Sequence, residues 1–187
     1  MAAARTSASA TGFTIIELVI VMALMTSVAA ICLAWVPRLS EVMQADADLM
    51  TLSGQVTLAR EAATSQRRAV ELQFIAPNQI RVVRQDLPNG TTVLSQATLQ
   101  HGAAFLRFAD EPDTPDGFGG DQAINLGGAA RVLFSADGLL TDETGNPVNI
   151  TVFVEQDSRP MTARALTVFG PTARVRSYRW NGAAWRQ

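Results

Sequence analysis

The chain is short of the side chains on which most enzyme chemistry is built. Among its 187 residues there is one cysteine, one histidine and no lysine, so all fifteen basic residues are arginine. The lone Cys32 excludes an intrachain disulfide and a cysteine-based metal site, and it leaves the redox compartment unread. His101 follows a strand-like stretch with no serine or cysteine motif beside it, and it reads as a surface or edge residue. No GxSxG, P-loop or HExxH pattern is present, and the chain reads as a non-enzyme without cofactor or metal. The lack of lysine fits an alanine-rich coding bias and has no functional weight. Acid is missing from one region: residues 158–187 hold six arginines and no carboxylate, for +6, whereas 1–85 sum to +1 and 86–157 to −9. The overall −2 points to no partner.

One long apolar run is present. Residues 13–36 read FTIIELVIVMALMTSVAAICLAWV, with Glu17 the only charge. As a helix this run spans about 36 Å, enough to cross a hydrocarbon core of roughly 30 Å. A secretory signal has an apolar stretch of only about 7–15 residues before a small-residue cut, for which Ala29-Ala30 and Ala34 are the candidates. Arg5 stands before the run without an acid, and Arg38 followed by Glu41, Asp46 and Asp48 stands after it. The positive-inside bias therefore favours a cytoplasmic N-terminus, with the bulk of the chain across the membrane.

Glu17 needs a reason. A carboxylate at the centre of a membrane helix costs about 2.5–3.5 kcal/mol on insertion scales. Near the helix start it reaches headgroups and water, which explains its tolerance and not its presence. A cut between Gly12 and Phe13 would place a new α-amine four positions before Glu17, where one subunit's amine could neutralise the next subunit's carboxylate in a helical stack. Gly12-Phe13-Thr14-Ile15-Ile16-Glu17-Leu18 resembles the prepilin cleavage motif of type IV pilin-like proteins. That resemblance implies a leader over 1–12, removed by a prepilin peptidase after Gly12. It also implies N-methylation of Phe13 and an assembly role for Glu17. The leader departs from the pattern in carrying a single basic residue, Arg5.

Beyond Pro37, which either kinks or ends a helix, Leu39, Val42, Met43, Leu49, Met50, Val56 and Ala63 recur at helical spacing. They predict an amphipathic helix over 37–66, interrupted only weakly by Gly54. From Ala69 the period changes to two: Val70, Leu72 and Phe74 alternate with Glu71 and Gln73. Further strands are expected at 92–99, 103–108, 131–135, 148–155, 163–169 and 174–180. Asn181-Gly182 would close a last hairpin between Trp180 and Trp185. The fold class is α+β: a membrane-spanning and assembly helix over 13–36, its amphipathic continuation, and an antiparallel β-rich head over 67–187. The passage Leu58-Ala59-Arg60-Glu61-Ala62-Ala63 into RRAVELQF resembles the GspH/FimT class of minor pseudopilins and minor pilins. Phe134-Ser135-Ala136-Asp137-Gly138 and ALTVFGPTARVRSYRW are similar to its C-terminal sheet motifs.

Two further clusters invite chemistry. Arg174, Arg176 and Arg179 alternate with other residues, so on a strand they are expected to share one face, with Tyr178 near them. Arginine suits phosphate contact and aromatic neighbours can stack on bases. Some FimT-type proteins bind DNA through a Gly-Arg-x-Arg tail, and the matching stretch here is Ala173-Arg174-Val175-Arg176. The ordinary reading is a solvated strand face, or one paired with acids of the same or a neighbouring subunit. Asp110, Glu111, Asp113, Asp116 and Asp121 lie in a Pro/Gly-rich stretch over 109–122 and could offer oxygen ligands to Ca²⁺. Their spacing does not match an EF-hand, and a solvated loop is the expectation.

The resemblance implies a structural protein of the inner membrane, single-pass, with a cytoplasmic N-terminus and a periplasmic head. It would assemble through its N-terminal helix into a type II secretion pseudopilus or a type IV pilus. Its partners would be other pilins or pseudopilins, the prepilin peptidase and the inner-membrane assembly platform. The alternative is a DNA-binding minor pilin using the arginine-rich tail. An anchored periplasmic domain outside any filament is the third reading.

Overall fold

The computed structural model describes residues 14–156 and 159–187, with the side chains of 33–39 excepted. Gly12 and Phe13 lie outside the described residues. Helix α1 covers Ile15–Gln66 and its backbone continues through position 37. The chain divides into two compact units, one ending at Ser40 and the other Glu41–Gln187.

In the first unit, Ile15–Cys32 has a mean hydropathy of 2.5 and is long and apolar enough to cross a membrane. All its side chains are exposed. Thr14 caps the helix: its Oγ1 accepts the Glu17 N–H at 3.3 Å. This satisfies one of the donors that a helix start leaves without a partner.

The second unit, called the head below, begins with the rest of α1. Its buried stripe is Ala45, Asp48, Leu52, Val56, Ala59 and Ala63, recurring every three or four residues. This corrects the stripe expected from the sequence, because Met43 and Met50 are 69% and 74% exposed. Alanines and one carboxylate, together with Leu52 and Val56, face the sheets, while the two methionines do not. Gly54 lies on the open side, and a Cβ there would meet nothing within 4 Å. Glycine costs about 1 kcal/mol relative to alanine inside a helix, so Gly54→Ala should stabilise the head by up to that amount in urea denaturation.

The strands are β1 (Val70–Ile75), β2 (Gln79–Gln85), β3 (Thr91–Thr98), β4 (Ala103–Ala104), β5 (Ile124–Asn125), β6 (Val132–Phe134), β7 (Leu140–Thr141), β8 (Ile150–Gln156), β9 (Arg164–Phe169), β10 (Arg174–Trp180) and β11 (Trp185–Arg186). They form two sheets, ordered β3-β2-β1-β6-β7 and β11-β10-β9-β8-β4, with β5 also on β8. All recorded pairings are antiparallel, and the fold is α+β as expected. The strand expected at 103–108 shrinks to two residues, because the chain leaves β8 after Ala104 to cross the sheet.

The sheets are stitched where Gly170, in the β9–β10 turn, meets the segment before β8. Its carbonyl accepts the Leu140 N–H at 3.1 Å, and its N–H donates to Asn149 Oδ1 at 2.9 Å. A Cβ at Gly170 would stand 2.3 Å from the Val148 carbonyl oxygen, so the approach requires glycine.

Pleating gives the second sheet two occupied faces. Val152, Val154, Leu166 and Val168 join Leu52 and Val56 of α1, together with Val70, Ile80 and Phe134 of the first sheet, in the main core. Phe153, Ala165, Tyr178, Trp180 and Trp185 form a second cluster with Ala163, against which Phe108 packs. The helix cannot reach that outer face, and the segment after β4 covers it instead.

Candidate functional site

At the start of α1, Glu17 is exposed in the first helical turn. Thr14 and Glu17 stand in the S/T-x-x-E spacing of a capping box, and an acid there also favours the positive end of the helix dipole. This local role was missed in the sequence, although the spacing was visible. The bond formed uses the Glu17 backbone, so the contribution of its carboxylate within the helix is its place at the positive end of the dipole.

The arginines of β10 separate. The register pairs Arg174 with Phe169, Arg176 with Thr167 and Tyr178 with Ala165 on the outer face, whereas Arg179 stands opposite Arg164 on the helix face. The expectation that Arg174, Arg176 and Arg179 share one face is therefore corrected. An odd step from 176 to 179 crosses the pleat.

On the outer face, Asp116 accepts the Thr167 hydroxyl at 2.6 Å and the Tyr178 hydroxyl at 2.9 Å, and it also pairs with Arg176. Burial opposes its charge, but these hydrogen bonds and the Arg176 guanidinium hold the Asp116 carboxyl below its usual range. On the helix face, Arg164 is fully buried and its Nε donates to Asp46 Oδ1 at 2.8 Å. Arg179 reaches Asp46 Oδ2 at 2.6 Å. Arg174 and Arg186 have no partner among the described residues.

The acidic segment is docked rather than solvated. Trp185 Nε1 donates to the Pro112 carbonyl at 2.8 Å, and the Arg107 guanidinium lies 4.5 Å from the centre of the Phe153 ring. Arg107 also donates to the carbonyls of Gly120 and Glu111 and pairs with the Glu111 carboxylate at 3.3 Å. Glu111 is buried, and its Oε1 has no hydrogen-bond partner among the described residues. Burial pushes Glu111 up to about 7; Arg107 opposes this and neighbouring Glu155 adds to it. Asp113 binds its own segment through the N–H groups of Thr114 and Gly119. Asp110 and Asp121 are exposed. The five acids do not converge, and no cluster of three or more metal-ligating side chains occurs among the described residues.

His101 sits exposed in a turn with positive φ, its Nδ1 4.0 Å from Asp48 Oδ2. Asp48 itself is buried in the helix stripe and accepts the Gln100 N–H at 2.7 Å. Burial raises its carboxyl above the usual range, against this hydrogen bond and His101. The pair ties α1 to the β3–β4 turn, which is a packing role.

These features define an α+β head that follows a helix with an exposed, membrane-length apolar stretch. Among solved structures, the chain is similar to the type IV minor pilin FimU of Pseudomonas aeruginosa, with 14% identity over 80% of this chain and 97% of that one, at a TM-score of 0.49. It is also similar to the minor pseudopilin EpsH of the Vibrio cholerae type 2 secretion system, with 13% identity over 73% of this chain and 97% of that one, at a TM-score of 0.49. No protein-family model and no curated protein matches the chain.

Proposed function

We propose that the protein is a minor pseudopilin or minor pilin of the GspH/FimT type. It would assemble through its N-terminal helix into a type II secretion pseudopilus or a type IV pilus, and act there as a structural subunit rather than an enzyme. The observation that carries this reading is the exposed apolar stretch Ile15–Cys32, which begins two positions after Phe13 of the Gly12–Phe13 pair and has Glu17 in its first turn. So much exposed apolar surface needs a non-aqueous environment, which a bilayer supplies before assembly and packed neighbouring helices supply after it. In this reading a prepilin peptidase cuts after Gly12 and the Phe13 amine is methylated. The platform in the inner membrane then takes up the mature subunit, whose head is periplasmic.

The test separates the charge of Glu17 from its place at the helix cap. Glu17→Gln keeps the capping-box spacing and removes the charge, so it should give a stable, processed protein that fails to enter filaments. Incorporation of Glu17→Gln at the wild-type level would sink the charge-pairing role. Gly12→Asp should leave an uncut precursor on immunoblots, and normal processing would contradict the proposed site.

The DNA-binding alternative has less geometric support. Arg176 and Arg179 are committed to Asp116 and Asp46 on opposite faces, leaving Arg174 as the free cation among the three.

A further inference from the structure

We propose that the free edge of β10, together with the groove between it and α1, takes an extended acidic–apolar segment of another protein by strand addition. Three observations meet there.

The first is the backbone. Trp180 donates its N–H to the Ala163 carbonyl at 3.2 Å, so the alternating hydrogen-bonding sense directs Arg174, Arg176 and Tyr178 toward β9. Val175 and Ser177 then turn their N–H and C=O groups to the other side. Strand β11 covers only Arg179 and Trp180. The Val175 and Ser177 groups bond to no described residue and form an open template for a further strand.

The second is the groove. It has a volume of about 600 Å³ and runs along one flank of α1, lined by Leu49, Met50, Gly54 and Leu58 on the helix and by Ser177 and Arg179 on β10. Gly54 is an interior helix glycine that no contact within the head requires, since the space above it is empty. A glycine kept at a cost in helix propensity suits close approach by something outside the chain. Alternate residues of an added strand would point from the sheet into this groove.

The third is charge. Arg164, Arg174, Arg176, Arg179 and Arg186 lie on β9, β10 and β11, and the carboxylates they meet are Asp46 and Asp116. Asp46 and Glu61 line the groove beside Arg179, so the arginines of these strands left without a carboxylate among the described residues are Arg174 and Arg186. Arg174 points to the outer face, where the other set of residues of an added strand would lie. The occupant that fits is an extended chain with apolar residues toward α1 and carboxylates beside Arg174.

This inference does not depend on filament assembly; its failure would leave the Glu17 test untouched. The probe is a fluorescein-labelled peptide, Thr-Val-Glu-Val-Asp-Val-Thr, titrated into the full chain in detergent, with the lysine-for-acid peptide as control. The expected result is saturable binding that slows amide hydrogen exchange at Val175 and Ser177, with the lysine peptide weaker by about tenfold or more. Ser177→Pro removes an outward N–H without touching the β9 ladder, and Gly54→Leu fills the groove from a helix position with free space. Each should abolish binding. The proposal is overturned by absent binding, by unchanged exchange at Val175 and Ser177, by equal binding of the lysine peptide, or by two variants that bind like wild type. Exchange protection at those amides that rises with protein concentration in the absence of peptide would assign the edge to a second copy and equally overturn it.

Discussion

Asp46→Ala should destabilise the head by up to about 3–5 kcal/mol, the cost of leaving a buried charge without its partner. The 26% exposure of the Asp46 side chain draws the loss toward the lower end. Arg164 has no exposed surface. Its guanidinium also donates to the carbonyls of Met161 at 3.2 Å, Ala163 at 2.9 Å and Val42 at 3.3 Å, so Asp46 is the carboxylate among its hydrogen-bond partners. Without that carboxylate, a dry cation stands directly across the ladder from a second one, Arg179. Like charges in that position repel. Arg164→Met should cost less, because an apolar side chain of similar reach removes the buried charge along with its need for a partner. Urea denaturation of the full chain in detergent, followed by tryptophan fluorescence, measures both. If Asp46→Ala lost under about 1 kcal/mol, the range of an exposed ion pair, the junction would not hold α1 to the sheet.

Glu111→Gln should remove most of a fall in stability that the wild-type head shows between about pH 4.5 and 7. Burial, with a smaller push from Glu155, raises the folded-state carboxyl to about 7 from an ordinary 4.5. Within that window the folded state holds a proton that the unfolded state has released. The stabilisation is complete below about 4.5, declines as pH rises, and levels off above about 7. A shift of that size corresponds to about 3 kcal/mol across the window. Asp48, also raised, acts with the same sign, starting from its ordinary 3.8. Comparing wild type with Glu111→Gln isolates the Glu111 contribution. Urea midpoints that keep the same slope with pH in Glu111→Gln would show that Glu111 is not the group responsible.

The parts of this fold that depend on local pattern were readable. The change of period near Ala69 marks the passage from α1 to β1, and Asn181-Gly182 lies in the tight connection between β10 and β11. What escaped depends on groups far apart in the chain. The helix stripe is legible only in part: Val56 and Ala63 lie in it as expected, but its inward residues also include Ala45 and Asp48, which no count of bulky apolar residues selects. The acidic stretch looked solvated because its partners, Thr167, Arg176, Tyr178 and Trp185, all lie in strands that come later. The arginines could have been sorted by parity alone: 174 and 176 fall on one side of a pleat and 179 on the other.

The junction at Asp46 has a consequence for synthesis. The carboxylate leaves the ribosome 118 residues ahead of Arg164 and 133 ahead of Arg179. Helical turns form locally, but the second-sheet face that carries Arg164 and Arg179 does not yet exist, and contacts this distant are slow to form. Throughout elongation the part of the stripe that faces the second sheet therefore stays uncovered, whereas β1 and β2, made directly after α1, can cover the rest. A nascent chain that stalls before β9 leaves apolar surface of the helix stripe uncovered, a natural target for chaperones and proteases. The core is completed only by the last strands, so a chain cut short before them leaves apolar surface that the finished head hides.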